Sequence, residues 1–166
     1  NLAVELLNKL INDQVKSKFR TNVVKQRKFS DLLQNALSKY QNRSIEAAQV
    51  IAELIEMAKE FKKDLDKSKA LNLNPAENAF YDALSNNKSA EEVMGEEVLV
   101  QIAREIADIL RKNVTVDWSV RDSVRARLRV LVKTLLRRYK YPPDQQDAAT
   151  ELVLTQAEVV SEELAA

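Results

Sequence analysis

Five cations, Arg121, Arg125, Arg129, Lys133 and Arg137, recur at every fourth position of the stretch 119–139. On a 3.6-residue helical period, steps of four sweep about 160° of one side. The five therefore form a band able to neutralise phosphates or carboxylates. Val120, Val124, Leu128, Leu131 and Leu135 gather on the opposite side. Arg127 and Arg138 fall at the margin of that apolar stripe, where their stems can cover apolar surface. Trp118, the only tryptophan, stands at the helix entrance, where a place in the core outweighs a base-stacking platform. Three kinds of partner compete for the band. The cations can pair with acidic helices of the same chain, such as 141–166. They can dock a partner protein, because Arg and Trp are favoured interface anchors. They can contact the DNA backbone, which needs an exposed basic face. Under either of the last two readings the candidate surface is Trp118, Arg121, Arg125, Arg127, Arg129, Lys133 and Arg137.

Two acidic groups invite other chemistry. Glu91, Glu92, Glu96 and Glu97 could hold a divalent cation. Carboxylates are equally favoured near helix N-termini as a solvated face, and that reading is preferred. Asp64, Asp66 and Lys67 loosely resemble a nuclease's acid-lysine set, but they lie on an ordinary charged helix with no third carboxylate marked out. The sequence contains neither His nor Cys, which removes Ser-His and Cys-His nucleophiles, disulfides and thiolate metal sites. Its single glycine, Gly95, cannot build a phosphate-binding loop, where several glycines let backbone N–H groups approach the anion. No catalytic, cofactor or metal residue is expected in this chain.

The elements that must position these groups are helices. Only one Gly and three Pro occur in 166 residues, and hairpin turns usually need more glycine than that. Ala, Leu, Glu, Lys, Arg and Gln dominate and favour helix throughout. The pattern predicts one all-α domain over 1–166, of about six to eight helices and no sheet, with helices over 2–20, 23–40, 44–69, 75–86, 89–94, 96–112, 119–139 and 143–164. Leu2, Leu6, Leu10 and Phe19 are expected on or near the apolar face of the first. Phe29, Leu33, Leu37 and Tyr40 mark the second, and Gln41-Asn42-Arg43 reads as a break or a polar patch. Ser44 is the expected N-cap of the third, whose seam runs Ala47, Ile51, Leu54, Ala58, Phe61 and Leu65. Asn74-Pro75-Ala76-Glu77 is a strong helix start, with a capping Asn, Pro at the first position and a capping-box Glu. Phe80, Tyr81 and Leu84 form the buried side there. Ser89-Ala90-Glu91-Glu92 repeats the capping logic for a short turn that Gly95 closes. Leu99, Ile102, Ile106 and Ile109 form a further seam. Val114-Thr115-Val116 reads as an extended connector, and Asp117 or Ser119 caps the basic helix. Tyr141-Pro142-Pro143-Asp144 ends that helix and starts the last, which runs through Ala148, Leu152, Val159 and Leu164.

The net charge of +1 conceals alternating blocks. Residues 1–43 carry +6, 44–110 carry −7, 111–140 carry +8 and 141–166 carry −6. Such blocks can neutralise one another when helices pack side by side. No run approaches the roughly 18 apolar residues of a membrane span. The start, Asn1-Leu2-Ala3, lacks a methionine and opens straight into a helical pattern, as an excised fragment or a processed chain would.

At this point several stretches become recognisable. Val114-Thr115-Val116-Asp117-Trp118-Ser119-Val120-Arg121, continuing through Arg125-Ala126-Arg127-Leu128-Arg129-Val130-Leu131-Val132-Lys133, resembles a hallmark of the helical C-terminal region of the type I restriction enzyme R protein, the HsdR motor and restriction subunit. So do Arg27-Lys28-Phe29-Ser30, Tyr40-Gln41-Asn42-Arg43 with Ile45-Glu46-Ala47-Ala48, Asn78-Ala79-Phe80-Tyr81-Asp82-Ala83-Leu84, and Tyr141-Pro142-Pro143-Asp144. The resemblance runs in order along essentially the whole chain. It implies a parent subunit with a nuclease domain and two motor lobes, which uses ATP and Mg2+ to translocate and cleave duplex DNA in the cytoplasm. It further implies a non-catalytic docking domain that packs on the motor lobes. This domain would hold the subunit to the modification (methyltransferase) subunit, in a complex that also contains a specificity subunit. The alternative function is a DNA-contacting guide element built on the basic helix. The family's nuclease and ATP-binding residues have no counterparts here, and none is carried over.

Overall fold

The computed structural model describes residues 1–113 and 121–165, with side chains through 162. The connector Val114-Thr115-Val116, the caps Asp117 and Ser119, Trp118, Val120 of the expected apolar stripe, and the side chain of Leu164 lie outside the described residues. Within them are eight α-helices, one 3-10 turn and no strand, as an all-α sequence predicts. The chain divides into two compact units, 1–72 and 73–166.

The first unit contains α1 (Leu2–Lys18), α2 (Val23–Gln41) and α3 (Ala47–Ala70), each packed on the other two. Its core is Val4, Ile11, Val15, Phe19, Phe29, Leu33, Ala36, Val50, Leu54, Met57 and Phe61. Two expectations are corrected here. Leu2, Leu6 and Leu10 are 71, 53 and 60 % exposed, and α1 instead buries Val4, Ile11 and Val15. Both series have helical spacing, but only the second leads into a buried aromatic, Phe19. The leucine series runs out at Asp13, Gln14 and Ser17. In α3 the buried line is Val50, Leu54, Met57 and Phe61, while Ala58 is exposed and Ile51 and Leu65 are only partly buried. Val50 and Met57 remove more apolar area from water than Ala58 can, so the helix turns them inward.

The breaks are set by local chemistry. Asn22 caps α2, its Oδ1 accepting from the Lys25 N–H at 3.0 Å. Of Gln41-Asn42-Arg43, Gln41 ends α2 and the break falls at Asn42 and Arg43, the latter at φ +60. Ser44 does not cap α3. The helix starts after Glu46, whose N–H donates to Gln49 Oε1 at 2.9 Å, which satisfies the amide from inside the first turn. Asn72, at φ +56, ends the unit in the left-handed conformation that Asn tolerates better than most residues.

Across α2 and α3, Asp64 accepts from Lys25 at 3.1 Å and Lys28 at 2.8 Å, and Lys28 also reaches Glu60 at 2.9 Å. Burial works to raise the Asp64 carboxyl, yet the hydrogen bond from Lys28 and the charge of Lys25 outweigh it and hold the group below its ordinary range. Burial likewise pulls against Lys28, but its bonds to Asp64 and Glu60 prevail and raise it. Asp64 therefore contributes stability that is present above the unfolded carboxylate pKa, near 3.9, and is lost as pH falls through its lower folded value. Asp64→Asn is expected to lower stability at neutral pH by about 1 kcal/mol. Denaturant titrations of variant and parent should converge toward pH 2, where both carry a neutral side chain at this position.

The second unit is organised around α4 (Pro75–Ser85), with α5 (Lys88–Met94), α6 (Glu96–Lys112), α7 (Arg121–Arg138), a 3-10 turn at Pro143–Gln145 and α8 (Gln146–Ala165). Asn74 and Glu77 form the expected capping box, with bonds of 2.8 and 3.0 Å. The sequence placed Phe80, Tyr81 and Leu84 on one buried side, whereas every residue from Asn78 to Leu84 is buried. A helix buried all round belongs at the centre of its unit, and α4 packs against α5, α6 and α8. The short α5 is capped by Asn87 rather than Ser89: Asn87 Oδ1 accepts both the Ser89 N–H and its hydroxyl. Gly95, at φ +82, closes α5 through its N–H to the Glu91 carbonyl and opens α6 in one residue. Leu99, Ile102, Ala103, Ile106, Ala107 and Leu110 form the buried seam of α6. In α8 the buried line includes Ala149, Val153, Leu154, Ala157 and Val160, and Ala148 is exposed.

Candidate functional site

The basic helix α7 lies against the acidic helix α8. Its buried side is Val124, Leu128, Val132, Leu135 and Leu136, and with Leu154 of α8 two of these, Val124 and Leu128, form a small core beside Ile109. Along one margin of that seam the cations meet carboxylates in antiparallel register. Lys133 bonds Asp147 at 2.7 Å. Arg129 Nε bonds Glu151 at 2.6 Å, and Arg125 spans Glu151 at 3.3 Å and Glu158 at 3.5 Å. Arg121 pairs with Glu158 as well. Arg137 adds its positive charge near Asp147.

This ladder has a graded interior. Arg125 and Glu158 are 20 and 14 % exposed, whereas Asp147 is 85 % exposed. Exposed pairs contribute about 0–1 kcal/mol each, so the shielded Arg125–Glu158 contact is the one in the ladder least screened by solvent. The hydrogen bond from Arg129 holds the Glu151 carboxyl below its ordinary range, and that from Lys133 does the same for Asp147. Arg129 is correspondingly raised by its bond to Glu151.

The structure thus brings Arg121, Arg125, Arg129 and Lys133 together, facing carboxylates of their own chain. Arg127 points elsewhere and has no ion-pair partner among the described residues. Beside it, Val130 is 65 % exposed and Leu131, expected in the apolar stripe, is 39 % exposed. Its place in the seam is taken by Val132 and Leu136. The signal that would have located the acidic partners was present: Asp147, Glu151 and Glu158 recur at helical spacing, as the cations do. What no single-helix reading supplies is the register between two helices.

Neither acidic group assembles a metal centre. Asp64 is held by lysines, Asp66 is exposed, and Glu92, Glu96 and Glu97 face solvent. Among the described residues no group of three or more potential ligands could hold a metal ion, and no helix is long and apolar enough to cross a membrane.

By fold the chain is an all-α protein of two helical units. Residues 1–163 match the family described as Type I restriction enzyme HindI endonuclease subunit-like, C-terminal. The chain is 42 % identical over 164 residues to the type I restriction enzyme HindI endonuclease subunit of Haemophilus influenzae, covering 99 % of this chain and 16 % of that protein. It is 29 % identical over 135 residues to a Methanocaldococcus jannaschii protein provisionally named type I restriction enzyme MjaIXP endonuclease subunit, covering 80 % of this chain and 13 % of that one. The chain belongs to this family, the C-terminal regions of type I restriction endonuclease subunits, and it spans less than a fifth of the length of either relative. No solved structure matches it.

Proposed function

We propose that the chain is a non-catalytic assembly domain of a type I restriction enzyme endonuclease subunit. In this reading it packs on the motor lobes of its own subunit and holds that subunit to the modification (methyltransferase) subunit, beside the specificity subunit. The observation that carries the proposal is apolar surface left in helical order. Leu2, Leu6 and Leu10 lie on one face of α1, all more than half exposed, although α1 already buries a separate complete seam. Aliphatic side chains repeated on one exposed face are costly in water and suit a protein partner. Family membership supplies the kind of complex, because the relatives are named as subunits of a multisubunit enzyme.

ATP, Mg2+, translocation and DNA cleavage belong, on this proposal, to the portion of a parent subunit outside these residues, acting in the cytoplasm. A guide path for DNA along α7 finds less support. Four of its cations already bond carboxylates of α8, so phosphates would have to displace those bonds.

The test is removal of this region from a full-length subunit, followed by co-purification with the methyltransferase. Association is expected to be lost. A milder arm replaces Leu2, Leu6 and Leu10 by Ser, which should weaken association at least tenfold, about 1.4 kcal/mol, without lowering the melting temperature. Undiminished association after deletion would remove the proposal.

A further inference from the structure

The cations of the first unit are gathered at one end. Segments 14–30 and 61–72 hold ten basic and two acidic residues, while the remainder of that unit holds four basic and seven acidic. The fold brings the two segments together: Phe19, Phe29 and Phe61, one from each helix or its end, meet with ring centroids 5.2–5.9 Å apart. Lys16 and Lys18 lie within a turn of Phe19, Arg27 within a turn of Phe29, and Lys62 and Lys63 within a turn of Phe61. Lys69 lies eight residues beyond Phe61, about 12 Å at 1.5 Å per residue. These six are exposed and, unlike Lys28, make no ion pair among the described residues.

We propose that this basic end of the three-helix unit is a contact surface for the phosphate backbone of duplex nucleic acid. The composition of the patch selects the partner. Five of the six free cations are Lys, which protein interfaces disfavour, and no exposed large apolar side chain lies in either segment to anchor a protein. Single strands are bound by stacking bases on aromatic rings, and the three rings here are buried with their faces and edges against one another. What remains is long ammonium-bearing side chains at the end of three packed helices, each about 10 Å across. Together the three are wider than a major groove, about 12 Å, so cations on different helices can reach phosphates on both of its edges. Contacts of this kind position a duplex without reading its sequence. The surface is formed by the first unit alone, toward the opposite end of α1 from the exposed leucines.

The experiment measures binding of the 166-residue chain to a fluorescent duplex of about 30 base pairs and arbitrary sequence, as a function of salt. Lys16→Gln, Lys18→Gln, Arg27→Gln, Lys62→Gln, Lys63→Gln and Lys69→Gln are combined in one variant. Affinity at low salt is expected to fall at least tenfold, and the slope of log K against log salt to drop by about 0.9 for each phosphate no longer neutralised. A control variant removes charge from the second unit, at Lys88, Lys112, Arg138 and Lys140, and is expected to change affinity less than twofold. If the sixfold variant does not melt as the parent does, the threefold set Lys62→Gln, Lys63→Gln and Lys69→Gln carries the test, with a smaller slope change in the same direction. Parental affinity and slope in the folded variant would overturn the proposal. So would an equal loss in the control, absence of duplex binding at low salt, or competition by polyglutamate as effective as that by unlabelled duplex.

Discussion

Phe29→Ala is expected to destabilise the first unit by about 3–5 kcal/mol. Phe29 is fully buried, stacked on Phe19 at 5.9 Å with rings 3° from parallel, and it meets Phe61 edge-on at 5.3 Å. Phe19 and Phe61 also meet each other edge-on, at 5.2 Å. Removing the one ring that belongs wholly to α2 breaks its stacking on Phe19 and its edge-on packing with Phe61. It leaves a void between helices that otherwise touch mainly through aliphatics. Lys28 loses a ring 5.2 Å from its ammonium as well. Domain stabilities are typically about 5–15 kcal/mol, so a loss of this size consumes much of the margin. Hydrogen exchange in α1, α2 and α3 should speed up together, because all three helices share the cluster. Phe29→Leu keeps most of the volume and should cost less than half as much. If Phe29→Ala leaves both the denaturation midpoint and the exchange rates unchanged, the three rings are not what holds these helices together.

The same core shows what the sequence could and could not reveal. Helix type and number followed from the scarcity of Gly and Pro and from 3.6-residue spacing, and Asn74 with Glu77 marked a start that the hydrogen bonds confirm. Faces were harder. α1 carries two aliphatic series at helical spacing, and choosing between them requires knowing which one meets Phe29 and Phe61, information that resides in other helices. α4 shows the opposite problem: Asn78 and Asp82 look like an outward face, but the helix is enclosed and both are buried. Caps failed where a side chain two residues away offered better geometry, as Asn87 does in place of Ser89. For the candidate surface, sequence alone found the cations of α7 and named an acidic C-terminal stretch as one possible partner. Which carboxylate meets which arginine depends on the antiparallel register of two helices. That register is set by the buried packing of Val124, Leu128 and Leu154 rather than by the charges. The leucines of α1 are a visible series within one helix, but which face is left exposed is decided by the helices packed against it. The cations near Phe19, Phe29 and Phe61 come from separate segments and are brought together only when the helices are placed.

Tyr141→Phe is the second large effect expected, and it tests why Tyr141-Pro142-Pro143-Asp144 ends one helix and begins another. Tyr141 is 1 % exposed, and its hydroxyl donates to the Leu84 carbonyl at 2.6 Å, across 57 residues of sequence. Leu84 lies in the last turn of α4, where carbonyls have no intrahelical partner. The phenol therefore satisfies an acceptor that burial would otherwise strand. Nearby, Gln146 Nε2 donates to the Tyr141 carbonyl at 2.7 Å and Gln145 Nε2 to Ser89 Oγ at 2.7 Å, so the whole segment is fastened to α4 and α5. Deleting the hydroxyl should cost about 1–3 kcal/mol, the penalty of a buried carbonyl left unpaired. Truncating the ring in Tyr141→Ala should cost about 3–5 kcal/mol. The pH dependence separates the hydroxyl from the ring. Burial pushes the Tyr141 phenol up to about 12. A group raised in the fold contributes stability that is whole below its unfolded pKa, near 10, and is lost as pH rises through the folded value. Parent stability should therefore decline between pH 10 and 12, and Tyr141→Phe should remove part of that decline while lowering stability at pH 7. Tyr81, raised by burial, and Tyr139, raised first by its hydrogen bond with Glu105, account for alkaline sensitivity that persists. An unchanged alkaline slope in Tyr141→Phe, measured by chemical denaturation at each pH, would show that this hydroxyl is not closed off from solvent. The fastening of α4 would then rest on the ring and the two glutamines alone.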